Sequence, residues 1–335
     1  VAYEKWFFGI NNENKKFLND ARDSFRWGKK PVTHLLNDFS ELLEYLMAEE
    51  FKINAEFNLL RKSDYNNLYQ YGDYIISQTY PLNEKSVLNI SKKINQIYEQ
   101  YLTDQNNVYF TIVPDKNYFI NDENLKLDYN KLENLLNRNL SFAKYIRIFD
   151  MLELEDYYKT DTHWKQERLL KVAKTIAESM NVNLENEYKE KTICDFQGTY
   201  SGQLPISTAK DKIKILTNSE IEKSKVYNYE TKEYSGIYNL NKINSLDKYD
   251  VYLSGATPML TIENPDYNGT KELIVFRDSY GSSLIPLLVT GYSKITVVDT
   301  RYISPKLLNQ YIEFKDQDVL FMYSTLIINN STTLK

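Results

Sequence analysis

The sequence predicts an α/β fold, a mostly parallel sheet flanked by helices, with an N-terminal helical and hairpin extension and a small β insertion. Three observations carry this. Apolar runs of buried-strand length recur at Val108 to Val113, Tyr145 to Phe149, Val251 to Ser254, Leu273 to Phe276, Ile295 to Val298 and Val319 to Met322. Segments with helical spacing separate several of them, as crossovers between parallel strands require. The run Leu273 to Phe276 stops at a serine followed by a Gly-containing helix start, the setting that lifts a hydroxyl to the carboxyl rim of such a sheet.

Residues 1–80 form the extension. Leu35, Leu36, Phe39, Leu42, Leu43, Leu46 and Met47 share one face of a helix over Val32 to Met47, and His34 in its first turn reads as structural. Around Gly72, Leu68 to Ile76 reads as a hairpin. The main domain, 81–335, opens with a helix near Asn83 to Tyr101 (Val87, Ile90, Ile94, Ile97, Tyr98 and Tyr101 inward), then the strand Val108 to Val113. A helix from Tyr129 to Leu140 leads to the strand at Tyr145, and another runs from about Trp164 to Met180. From 181 to 249 the pattern changes to short alternating runs such as Ile213 to Leu216 and Val226 to Tyr229, which predicts the β insertion. Parallel strands then resume, with crossover helices after Ser282 and Ser304.

Composition excludes some functions. Lys plus Arg number 41 against 46 Asp plus Glu, a net charge of −5, with no footprint for nucleic acid or an anionic membrane. The single cysteine, Cys194, forbids an intrachain disulfide. No run of about 18 apolar residues occurs, so no transmembrane segment is expected. The chain opens at Val1 without a charged-then-apolar leader, which reads as a mature or trimmed region. Tyrosine is abundant, 29 residues against 15 Phe and 3 Trp. That fits a sugar-contacting surface, and equally a composition rich in Asn, Lys, Ile and Tyr throughout.

Chemistry concentrates in two stretches. His163 is one of only two histidines, and Asp161, two residues earlier, could orient its ring for proton transfer near neutral pH. Ser279 is the matching nucleophile candidate. Blander readings stand beside these: Thr160, Asp161 or Thr162 capping the next helix, and Ser279 capping its own. A metal site would need mostly carboxylates, an uncommon set for zinc, and neither metal nor cofactor is expected. The backbone amides just after Ser279 are candidate oxyanion donors, with Gly198, Gly202 and Asn329 as further possibilities. Lys116, Arg277 and Arg301 sit near strand ends, either to contact substrate or to pair with Asp115, Asp278 and Asp299; Tyr158 is a further substrate-binding candidate.

Tyr158-Lys159-Thr160-Asp161-Thr162-His163-Trp164 and Arg277-Asp278-Ser279-Tyr280-Gly281-Ser282-Ser283 resemble the DHHW family of bacterial proteins and, more distantly, the alginate O-acetylation proteins of the SGNH-hydrolase-like group. Val113-Pro114-Asp115-Lys116, Leu253-Ser254-Gly255, Val298-Asp299-Thr300-Arg301-Tyr302 and Leu320-Phe321-Met322-Tyr323-Ser324 extend the resemblance over roughly 70–330. Thr162 replaces the first His of the name-giving motif. The resemblance implies a permuted SGNH-like fold and a triad of Ser279, His163 and Asp161, with Ser last in chain order. It implies O-acyl transfer, most simply of acetyl, or ester hydrolysis on a cell-surface or extracellular carbohydrate. The partners would be a glycan acceptor, an acyl donor and, as a candidate, a membrane-bound acyltransferase. A non-catalytic glycan-binding or scaffold protein and a lipase-like esterase are the alternatives. Between Asn181 and Tyr249, Tyr188, Tyr200, Tyr227, Tyr229, Tyr234, Tyr238 and Tyr249 could form an acceptor wall, which favours transfer over hydrolysis.

Overall fold

The computed structural model describes residues 64–65, 67–120, 125–185, 187–201, 203 and 209–335. The expected helix over Val32 to Met47, with His34, lies outside the described residues, as does Gly202.

Among the described residues, eight strands form the central sheet. Five are parallel: β4 (Val108–Val113), β5 (Lys144–Tyr145), β11 (Glu272–Arg277), β12 (Lys294–Val298) and β13 (Asp318–Ser324), adjacent in the order β5-β4-β13-β11-β12. Three more, β10 (Met259–Glu263), β8 (Lys225–Asn228) and β9 (Glu233–Ser235), continue beyond β12 as an antiparallel edge. Alternation in β11 shows why the sheet is buried on both sides. Leu273 and Val275 face a core containing α3 (Leu170–Ser179) and the turn Ile285–Gly291; Ile274 and Phe276 face one containing α1 (Glu84–Tyr101) and α2 (Tyr129–Asn139).

Helix α1 begins where Asn83 accepts the Ser86 amide, and it buries Val87, Ile90, Ile94 and Ile97, the residues its spacing places on one face. The hairpin of β2 (Leu68–Tyr71) and β3 (Tyr74–Ser77) turns at Gly72, whose φ of +54° is easy only without a Cβ.

Four expectations need correction. Val251 to Ser254 is no strand: a 3-10 turn at Lys248–Val251 runs into Leu253, Ser254 and Gly255, all at positive φ, and a left-handed backbone cannot continue a ladder. The apolar run at Met259 supplies the strand instead, antiparallel to β12. At Tyr145 only Lys144–Tyr145 pair with the sheet, and Phe149–Met151 is a 3-10 turn. The helix expected from Trp164 starts later, after a 3-10 turn at Gln166–Arg168. The insertion splits in two: β6 (Lys189–Phe196) and β7 (Asp211–Thr217) form a separate ribbon, whereas β8 and β9 extend the central sheet. Among the described residues, no helix is long and apolar enough to cross a membrane.

Candidate active site

Two loops meet above the carboxyl end of the sheet. The first is closed at its base, where Tyr157 and Trp164 bridge and the Tyr158 amide donates to the His163 carbonyl at 3.0 Å. Both base side chains are fully buried, so residues between them are held at the rim. The second follows β11. Asp278 accepts the Tyr280 amide at 3.0 Å and the Ser324 amide at 2.7 Å, and the chain turns into the short helix α5 (Gly281–Leu284). A Cβ at Gly281 would lie 2.8 Å from Cβ of Arg277 and 2.9 Å from Cε of Met322, so the turn closes this tightly only with glycine there.

At the meeting point, Ser279 Oγ lies 2.8 Å from Nε2 of His163, and Nδ1 of His163 lies 2.6 Å from Oδ1 of Asp161. Asp161 and His163 are buried and Ser279 is partly open to solvent. His163 and Ser279 lie 116 residues apart in sequence, and bonds from the first loop to Tyr280 and Ser283 join the two loops. The indole Nε1 of Trp164 donates to the Tyr280 carbonyl and to Ser283 Oγ, each at 3.0 Å, and Gln166 Nε2 donates to the Ser283 carbonyl at 2.7 Å.

Asp161 has four donors. Oδ1 accepts the His163 amide at 3.0 Å as well as its ring, and Oδ2 accepts the Thr199 amide at 2.9 Å and hydroxyl at 3.1 Å. Burial pushes the carboxyl pKa up, but the His163 charge and the hydrogen bonds from His163 and Thr199 outweigh it and hold the group well below the usual carboxylate range. The loop is pinned from the ribbon side. Asp211 accepts the Lys159 amide at 3.1 Å, the Thr160 amide at 2.9 Å and the Thr160 hydroxyl at 2.8 Å. The capping reading of Asp161 therefore fails, since its oxygens serve His163 and Thr199. Nor does Ser279 cap a helix: α5 has no side-chain cap bond.

The second-rank candidates serve the scaffold. Lys116 is buried and donates to the carbonyls of Ile75 and Tyr158, the latter at 3.1 Å, tying the hairpin to the His163 loop, with the Tyr200 ring 5.2 Å away. Burial lowers its pKa to about 7, against the opposing charges of Asp161 and Asp211. Tyr158 and Arg277 are fully buried and offer no surface to a ligand in this conformation. Arg277 donates to the Gly255 carbonyl at 3.0 Å and lies 3.5 Å from Asp299, while Arg301 grips Asp299 through two nitrogens at 2.9 and 2.7 Å. Asp299 thus holds both arginines, and Asp115 is bonded by Tyr129 and Thr325 rather than by Lys116.

The expected oxyanion donors do not survive. After Ser279 the Tyr280 amide goes to Asp278 Oδ1, that of Gly281 to the Asp278 carbonyl and that of Ser282 to the Ser279 carbonyl. The Gly198 amide donates to Thr160 Oγ1, and Asn329 joins Pro81 to Asn83. The tyrosines of the insertion scatter as well. Tyr227, Tyr229 and Tyr234 cluster on the antiparallel edge, Tyr188 bonds Leu287, Tyr238 bonds Gln166, and Tyr249 lies against His163. They form no common wall at Ser279. Sequence reading also missed Thr199 and Asp211, which touch the site from distant segments and carry no local motif, and it gave no role to Ser283, although Ser283 closes the Ser279 stretch. Among the described residues, no cluster of three or more His, Cys, Asp or Glu side chains could hold a metal ion.

The model of the DHHW protein family matches residues 59–298. No curated protein sequence matches significantly. Among solved structures, a DHHW family protein from Eubacterium siraeum is similar, at 20% identity and a TM-score of 0.67, over 81% of this chain and 94% of that one. Bacillus cereus PatB1, with a sulfonyl adduct, aligns at 17% identity and 0.63, over 79% and 97%. The O-acetyltransferase domain of Pseudomonas putida AlgJ aligns at 11% and 0.51, over 78% and 92%. At these identities the likeness is one of fold.

Proposed function

The chain belongs to the DHHW family, with an SGNH-hydrolase-like α/β fold, and from that premise we propose that it is a serine-dependent O-acyltransferase moving acetyl groups on a cell-surface or extracellular carbohydrate. The observation that carries this is the chain of contacts from Ser279 through His163 to Asp161, at 2.8 and 2.6 Å. Such a relay has the reach that proton transfer requires, and a rim serine is where an acyl donor can arrive.

Ser279 Oγ attacks the ester carbonyl while its proton passes to Nε2 of His163. Asp161 keeps the other ring proton on Nδ1 and stabilises the imidazolium. Collapse expels the donor's alkoxide, which takes the proton from His163 and leaves acetyl-Ser279. A sugar hydroxyl then gives its proton to His163 and attacks, which forms the product ester and frees the serine. With the following amides engaged, the amide of Ser279 itself is the candidate oxyanion donor at this turn.

The transfer reading is supported by likeness to a structure described as an O-acetyltransferase domain, and the sulfonyl adduct on PatB1 is the product expected where a nucleophile meets a sulfonylating reagent. Hydrolysis would use the same groups with water as acceptor. The deciding test offers the acetylated enzyme either buffer or oligosaccharides. Faster loss of the acetyl group with an oligosaccharide, and a matching ester on the sugar, supports transfer; brisk loss to water that no sugar accelerates makes it an esterase. A scaffold protein would form no acyl-enzyme at all.

A further inference from the structure

Tyr249 stands 3.9 Å from His163 between ring centroids, with the planes 9° apart. Its other ring neighbours meet it edge-on: Tyr252 at 5.0 Å and 61°, Tyr158 at 6.4 Å and 88°. Among the described residues, only His163 is offered the full π face. The phenol is fixed at both ends. Its hydroxyl lies 2.7 Å from Ser283 Oγ, and its backbone amide donates to Asp247 Oδ1 at 3.0 Å in the 3-10 turn Lys248–Val251. Ser283 also accepts the Trp164 indole and lies on α5, four residues beyond Ser279. One hydroxyl therefore ties the nucleophile's helix, the residue after His163 and the ring over His163 into a single unit.

We propose that Tyr249 is a positioning residue for the proton relay, a role that rests on the reading of Ser279 and His163 as nucleophile and base. The bonds to Asp161 and Ser279 lie in the imidazole plane, so they restrain tilting of the ring out of that plane least. A stacked, immobile phenol closes that motion, and misplacement by about 1 Å can cost 10²-fold in rate. The same π face receives the positive charge when the Ser279 proton arrives, a favourable arrangement in a buried site.

The test compares Tyr249→Phe, which keeps the ring and loses the hydroxyl, with Tyr249→Met, which fills similar space without a ring. Acetylation of Ser279 by 4-nitrophenyl acetate should fall about 10- to 100-fold in Tyr249→Met and stay within about 3-fold of wild type in Tyr249→Phe. In parallel, nuclear magnetic resonance of the His34→Gln background, where His163 is the sole histidine, reads the imidazole directly. Its carbon-bound protons should be shifted upfield by the phenol face in wild type and Tyr249→Phe, and not in Tyr249→Met. Unchanged acetylation in Tyr249→Met, equal losses in both variants, or unshifted ring protons in wild type would each overturn the role. If wild type forms no acyl-enzyme, the proposed function fails and this role falls with it, whereas a wild type that is acetylated while Tyr249→Met is equally fast overturns the role alone. If Tyr249→Met does not fold, the wild-type and Tyr249→Phe signals still decide it.

Discussion

Asp161 has no exposed side-chain surface, so its charge persists only because four donors surround it. Replacing it with Asn leaves the size unchanged but removes the charge and turns one of the two accepting oxygens into an NH2 donor, which faces either the His163 ring, imposing the wrong tautomer, or the Thr199 donors; Asp161→Asn should slow acetylation of Ser279 by about 10⁴-fold. Rates of 4-nitrophenol release from the folded variant check this. Lys116 supplies the pH dependence. Its folded pKa of about 7 lies below the ordinary lysine value, so between that value and about 10.4 the unfolded chain binds more protons than the folded one. Stability contributed by this site therefore rises with pH across that window and is least below pH 7. Lys116→Met should flatten the rise, and urea unfolding of both proteins at pH 6 and pH 9.5 measures the difference. That Asp161, His163 and Ser279 would meet was legible in the sequence, because histidine is so scarce here and a strand running into Ser-x-Gly marks a sheet rim. Thr199 and Asp211 were not, because a single side chain brought in by tertiary packing leaves no periodicity or spacing to read.

At the scale of elements, the ribbon β6-β7 and residues 198–200, which follow β6, brace the His163 loop. A Cβ at Gly198 would fall 2.2 Å from Cβ of Asp161 and 2.6 Å from both its Oδ2 and the Thr160 carbonyl oxygen. These groups are packed too tightly to yield without moving the carboxylate. Gly198→Ala should thus lower acetylation more than about 10-fold even where the protein still melts cooperatively, since a small misplacement of the relay is costly. Asp211→Ala removes the acceptor of three donors on Lys159 and Thr160, and stability should drop by about 1–3 kcal/mol, read by denaturant unfolding. The strands and helices with pure apolar spacing, β4, α1, α2 and β11 to β13, could be read from sequence to within a residue or two. Val251 to Ser254 could not, because its apolar character serves packing while positive φ at Leu253 and Ser254 bends the chain towards Arg277.

For the whole molecule, the five parallel strands put the ends of β4, β11 and β13 on one rim, and the charged residues there form a buried frame under Ser279. The antiparallel edge and the split insertion were hidden from sequence because short alternating strands look the same whether they join a sheet or stand apart. The central claim is that this frame presents Ser279 as a nucleophile activated by His163. Intact-mass analysis after brief exposure to 4-nitrophenyl acetate, followed by peptide mapping, tests it most directly. The account predicts a gain of about 42 Da, one acetyl group, localised to Ser279. The label should be absent from a Ser279→Ala protein that melts like wild type, its acylation rate down by at least about 10³-fold. Equal labelling of the two proteins, or an acetyl group found elsewhere while Ser279 stays unmodified, would contradict it.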